Sequence, residues 1–190
     1  MKATALLAKQ VTGVNTLLHH ATDDLSLHEW TSRPLCGENV PGFILWHIPR
    51  LQDHFVQVWI RGVPEVIQDE RWGRWDQLQP LGAGLGITPE EADRIAHCVE
   101  PAEVLAYADV VLHEMLNWLA TLTDADLEYI PPARKHLAPF PEYQTAGHHA
   151  ETDELLDLPI WRLLSGPCIG HVRGHLGELA LLKAQLRAGG

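Results

Sequence analysis

Apolar residues recur every three or four positions through four long stretches of this chain, and no stretch alternates apolar with polar residues as a half-buried strand would. Leu6, Leu7, Val11, Val14, Leu17 and Leu18 mark the first stretch, over 3–20. Ile44, Leu45, Ile48, Phe55 and Trp59 mark the second, over 40–61. Val104, Leu105, Ala108, Val111, Leu112, Met115 and Leu119 mark the third, over 101–122. Leu176, Leu179, Ala180, Leu182 and Leu186 mark the last, which begins near 161 or 165 and runs to 186. Such spacing puts one stripe on each of four helices, and the stripes must bury one another. The expected fold is all-α, a four-helix bundle with long crossover connections over 63–100 and 123–160. At 190 residues and 46% apolar content, the chain suits one domain, 1–190, around one core.

Local signals bound those helices. Asn39 is placed to cap the second and Pro41 to occupy its first turn, while Gly62 is a natural stop. Pro49 removes a backbone hydrogen bond and predicts a bend near His47, either a tolerated kink or a tilt of His47 toward the bundle axis. One or two helical turns are expected over 25–30. Thr88, Pro89, Glu90 and Glu91 combine a cap, a first-turn proline and first-turn acids, which predicts a short helix ending near Cys98. Residues 63–88, rich in Gly, Pro and Trp, read as loop, and LGAGLG at 81–86 lacks the ending and strand context of a phosphate cradle. Residues 123–159, with prolines at 131, 132, 139, 141 and 159, read as an irregular crossover able to hold a lid or a substrate wall.

Charge and composition narrow the partners. The balance of 14 basic and 25 acidic residues gives a net charge of −11. Nucleic-acid binding needs a basic footprint, and the arginines of 61–74 are diluted by Glu65, Asp69 and Glu70. Nucleic acid and anionic membranes are therefore not expected as partners. No run of 18 apolar residues predicts a membrane span, and the N-terminal segment builds no signal-peptide core. Cys36, Cys98 and Cys168 are sparse and form no CxxC pair, which fits a reducing compartment, the cytoplasm.

The 12 histidines carry the chemistry. In HVRGH at 171–175 two imidazoles stand four residues apart on one helical face, the spacing of a bidentate metal ligand pair. The same spacing serves a half-exposed, hydrogen-bonded pair. Without a neighbouring HExxH glutamate it does not read as that metalloprotease helix. Cys168 lies one turn before the pair, as an extra ligand or a buried small hydrophobe, and Glu178 one turn after it. Gly170, Gly174 and Gly177 make the helix costly, by about 1 kcal/mol each, unless a neighbouring helix or a buried metal needs the room. His47 sits between apolar neighbours on the second helix, so its ring should be buried and should need a hydrogen bond or a metal. His54 lies two turns on, and His113 and Glu114 lie on the third helix. The pairs His19–His20 and His148–His149 read as surface features, and Arg50 and Asp53 as a structural pair.

Two segments carry a family resemblance: FILWHIPRLQDHFVQVWIRG at 43–62 and HVRGHLGELALLKAQLRAG at 171–189. The chain resembles the DinB-like family, also described as DinB/YfiT-like metalloenzymes. The resemblance implies a four-helix bundle whose three metal ligands fall on His47, His171 and His175, with one divalent ion, Zn or Ni. It also implies relatives that transfer low-molecular-weight thiols such as bacillithiol and mycothiol, and relatives that isomerise maleylpyruvate. The long connections depart from the family pattern and leave the substrate class open.

The sequence therefore carries two functional readings. In one, the chain is a metal-dependent enzyme acting on a small molecule, transferring a low-molecular-weight thiol to an electrophile or, with water in place of the thiol, hydrolysing a substrate. Glu114 and Glu178 are then candidates to orient the ligand rings, Trp46 and Tyr143 to line the pocket, and Cys168 or His54 to add a ligand. In the other, the same bundle is a non-enzymatic interaction protein, with Trp72 and Trp75 forming an apolar groove or a homodimer surface.

Overall fold

A computed structural model describes residues 2–34 and 39–188, and these form helices and turns with no strand among them. Cys36 lies outside the described residues. The helices are α1 (Ala3–Thr22), α2 (Leu27–Thr31), α3 (Pro41–Asp53), α4 (Pro89–Cys98), α5 (Pro101–Leu119), α6 (Ala133–Leu137), α7 (Ala146–Thr152), α8 (Ile160–Ser165) and α9 (Val172–Ala188). The all-α expectation holds. Helices α1 and α3 each pack against both α5 and α9, so the four long elements close a ring around one core. None of the described helices is long and apolar enough to cross a membrane.

The sequence pattern explains the ring. On α1 the buried residues Leu7, Val11, Val14 and Leu18 advance by three or four, which is one stripe. Each such side chain, fully buried, contributes roughly 1.5–3 kcal/mol relative to exposure. Leu6 and Leu17, expected inside, stand off that stripe and are exposed. Helix α3 is different: all of its residues are buried, apolar and polar alike. It is the central element, flanked by α2, α4, α5 and α9.

Helix α3 keeps its α pattern through Pro49 and changes only at His54, where a wider π-helical segment continues it to Arg61. The break in pattern thus falls after Asp53, past the proline. Gly62 ends the element with φ +63°, as expected of a helix stop. Asn39 does not cap it; the cap position is Val40, and the Asn39 amide donates instead to Glu178 at 2.9 Å. The start of α4 is as predicted, with Glu91 N–H on Thr88 Oγ1 and Thr88 N–H on Glu91 Oε2.

The expected last helix is three segments: α8, a π-helical turn over Gly166–His171, and α9. The region read as loop is largely 3-10 helical, over Val66–Gln68 and Glu70–Leu81. Its tryptophans turn inward. Trp72 and Trp75 are buried with their rings 5.1 and 5.4 Å from Tyr107, so they offer no external groove or dimer surface. The 123–159 crossover holds the short helices α6 and α7.

Candidate metal centre

His47, on the central helix, reaches the turn between the π segment and α9. His171 and His175 point back at it from there. One ligand-capable atom of each histidine lies within 4.8 Å of the other two. His47 Nε2 is 3.5 Å from His171 Nε2, which is 2.8 Å from His175 Nε2. His47 is buried, His175 half-buried and His171 exposed, so the cluster sits at the edge of the core with one side open.

The tautomers follow from the outer partners. A carbonyl oxygen only accepts, so His47 Nδ1–H donates to Ala83 O at 2.5 Å, which leaves a bare lone pair on Nε2. His175 Nδ1 faces Glu178 Oε2 at 2.9 Å. The hydrogen bond to His175 holds the Glu178 carboxyl below its usual pKa, and it is also held by the Asn39 amide, so it is ionised and accepts. In the neutral form of His175 its Nε2 then carries a lone pair as well. A single proton on His171 Nε2 can satisfy only one of the two, whereas a cation takes all three donors together. The residues present fit a divalent ion bound by imidazole nitrogens. Burial, with the neighbouring His175, pushes the pKa of His47 down to about 3 and that of His171 down to about 4. Both rings are neutral near pH 7, the form that binds metal.

A glycine-rich strap fixes the inner ligand-capable ring. Ala83 supplies the carbonyl for His47. Beside it Gly84, at φ +81°, packs so closely that a Cβ there would sit 2.9 Å from Phe43 and 3.2 Å from His47 Nδ1. Gly86 lies against Gly147 of α7, backbone to backbone, and a Cβ on Gly86 would sit 2.5 Å from Gly147 Cα. Glu151, also on α7, accepts from Gly86 N–H at 2.7 Å. The LGAGLG stretch, plain loop in the sequence, is thus the element that orients His47.

Two hollows meet at the cluster. A small one of about 190 Å³ is bounded by all three histidines, Asn39, Phe43 and Glu151. A larger one of about 450 Å³ is walled by Leu51, Phe55, Leu155 and Pro167, with Glu151, Glu154 and His171 among its polar groups. His171 and Glu151 belong to both. The sequence did not single out Glu151. Its only signal was a helix start at Thr145, whose hydroxyl accepts from His148 N–H and which sets His148 and Glu151 one turn apart.

The other candidates lie elsewhere. Glu114, half-buried on α5, makes no hydrogen bond or ion pair with the three histidines, so among the described residues Glu178 alone of the two carboxylates orients a ring. Cys168 is fully buried, and burial pushes its thiol up to about 12; it lies outside the histidine cluster and packs as a small hydrophobe. Trp46 is buried beside Gly84 and lines neither hollow. Tyr143 is also buried and lines neither hollow; its hydroxyl donates to Glu65 at 2.7 Å.

His54 turns away from the cluster and pairs with His148, Nε2 to Nε2, at 3.2 Å. His148 is buried, contrary to its surface reading. The Thr152 hydroxyl donates to His148 O and accepts from His148 Nδ1–H, so His54 Nε2–H donates to His148 and His54 Nδ1 is left without a partner. Burial, with the neighbouring imidazole, holds His54 well below its ordinary pKa, and burial brings His148 down to about 4. Arg50 and Asp53 pair as expected, at 3.2 Å, within a larger buried set in which Arg50 also donates to Glu65, Tyr107, Tyr143 and Gly82 O. Burial and the Glu65 carboxylate push Asp53 up to about 7.

An all-helical ring with three converging imidazoles at its rim, two of them oriented from behind, defines a protein able to hold a metal ion. Residues 10–152 match the model of the DinB superfamily, and the chain belongs to that family. The match includes His47 and the strap and stops short of His171 and His175. No curated protein matches the chain.

Proposed function

We propose that the chain is a divalent-metal-dependent enzyme acting on a small molecule, with His47, His171 and His175 as ligands of one Zn or Ni ion. The observation that carries this reading is the convergence of three imidazole nitrogens, with His171 Nε2 3.5 Å from His47 Nε2 and 2.8 Å from His175 Nε2, while Ala83 O and Glu178 hold the far nitrogens of His47 and His175. A bound ion supplies a Lewis acid that lowers the pKa of a coordinated thiol or water toward neutrality. The chain's residues do the rest. Three neutral imidazoles leave the ion its full charge and open positions. Glu178 and Ala83 O lock two rings so that little reorganisation is needed. The apolar walls beside His171 hold the substrate body.

The preferred reaction is transfer of a low-molecular-weight thiol to an electrophile, on the strength of the family. A hydrolase is the second reading, favoured by the exposure of His171, which lines the small hollow. The acidic balance of −11 supports a small-molecule partner over nucleic acid. A cytoplasmic location, a single domain and a homodimer belong to the same proposal.

The test is elemental analysis of purified chain supplied with Zn and Ni. About one divalent ion per chain is expected, lost in His47→Ala and His175→Ala. Metal-loaded chain is then assayed with bacillithiol or mycothiol and an alkylating electrophile, and separately with an ester panel. Absence of stoichiometric metal rejects the centre. Metal without thiol turnover but with ester cleavage moves the assignment to the hydrolase.

A further inference from the structure

The larger hollow has an uneven chemistry. Its walls are hydrocarbon, yet two carboxylates, Glu151 at the end of α7 and Glu154 in the next turn, line it from one side. No Lys or Arg lines either hollow, and among the described residues none pairs with Glu151 or Glu154. Glu151 uses one oxygen on Gly86 N–H; Glu154 has no hydrogen-bond or ion-pair partner among the described residues. Two anionic groups three residues apart on one wall of an apolar cavity repel each other and any anion that enters. They attract a cation whose hydrocarbon part fits the walls.

From this charge complementarity we propose that the cavity admits an apolar molecule bearing a protonated amine, its hydrocarbon against Leu51, Phe55 and Leu155 and its ammonium held by Glu151 and Glu154. The volume of about 450 Å³ lies within the range of small-molecule sites. The amine would enter beside His171, the one histidine shared by both hollows, with its far end directed at the cluster. The inference takes this cavity to be the substrate site of the centre proposed above. Recognition of the amine itself needs no metal. It also separates substrate roles. An anionic group is admitted only where an ion at the histidines can hold it, and the electrophile or ester that fills the apolar cavity is the amine-bearing partner.

The experiment is calorimetric titration of the full chain with 2-phenylethylamine, 2-phenylethanol and phenylacetate at pH 7.5, in metal-stripped and Zn-loaded forms. In the stripped form the amine should bind at least tenfold tighter than the alcohol, and phenylacetate should not bind. Added salt should weaken the amine alone. Glu154→Gln, which removes a charge with no structural partner, should cut amine affinity about three- to tenfold and leave the alcohol unchanged, in keeping with a single exposed charge pair. Glu151→Gln keeps an acceptor for Gly86 N–H and should add to that loss. Equal binding of the three probes, preference for phenylacetate in the stripped chain, failure of the amine to bind at millimolar concentration, or an amine preference that survives both substitutions would each overturn the proposal. Because the stripped chain is tested directly, a negative metal assay rejects the centre without touching this result.

Discussion

Helix α3 and the π-helical segment that continues it use the same side chain in opposite ways. Midway along α3, His47 meets His171 and His175 at an open rim, where the outer nitrogens of His47 and His175 are satisfied and the inner ones face His171. At the start of the π segment, His54 meets His148 in the buried interior, where Thr152 sets the ring orientation and the Arg50–Asp53–Glu65–Tyr107–Tyr143 set lies alongside. The first group could be completed by a cation. The second closes on itself, with one orphaned nitrogen on His54 as the residual cost. Histidine content alone therefore says little; what completes the hydrogen bonding of each ring decides its role.

The largest expected break in that contrast comes from the buried end. Arg50→Met leaves two buried carboxylates without their cation and should cost about 3–5 kcal/mol in denaturant unfolding. It also frees Gly82 O, at the base of the strap.

At the open end, chelation should lower the stability of the metal-loaded chain by about 2.7–4 kcal/mol at 100- to 1,000-fold saturating metal, read as a fall in Tm. His54→Gln should leave that chelation-dependent fall in place, since His54 stands outside the cluster. Glu178→Gln should weaken metal affinity about 10- to 100-fold in a competition titration without unfolding the chain.

Acid should act on the buried pair with a definite sign. His148 is depressed to about 4 from an ordinary 6.5, so the folded chain refuses a proton that the unfolded chain accepts. Its contribution is fully present above pH 6.5 and is lost as pH falls through about 4. The Tm difference between wild type and His148→Gln should therefore shrink from pH 7.5 to pH 4.5. A difference that grows on acidification would reverse the reading of the pair as neutral. The smallest effect is expected at Gly174 and Gly177. A Cβ at either would meet nothing within 4 Å, so neither a neighbouring helix nor the cluster explains them. Gly174→Ala and Gly177→Ala should each raise stability by up to about 1 kcal/mol.

The helices were legible because apolar spacing and caps are local: the stripe of α1, the Thr88 capping box and the Gly62 stop all follow from neighbours in sequence. The convergence of His47, His171 and His175 was legible through HxxxH spacing, the apolar flanks of His47 and the family resemblance. What stayed hidden was set by distant partners. Nothing local to LGAGLG says that Ala83 O will orient His47, or that Gly86 will find Gly147. The burial of His148, Trp72 and Trp75 likewise depends on the surfaces that cover them. The π segments escaped as well, because a wider turn leaves no residue signature that separates it from an ordinary one.

The contact of Gly86 on Gly147 has a bearing on how the molecule is assembled. It joins parts of the chain 61 residues apart, and the histidines it helps to aim are separated by 124. Contacts of such range form late, after local helices are in place. A newly made chain would hold its helices before its three imidazoles could meet, so the metal uptake proposed above would fall at the last step of maturation, once α7 had latched the strap shut.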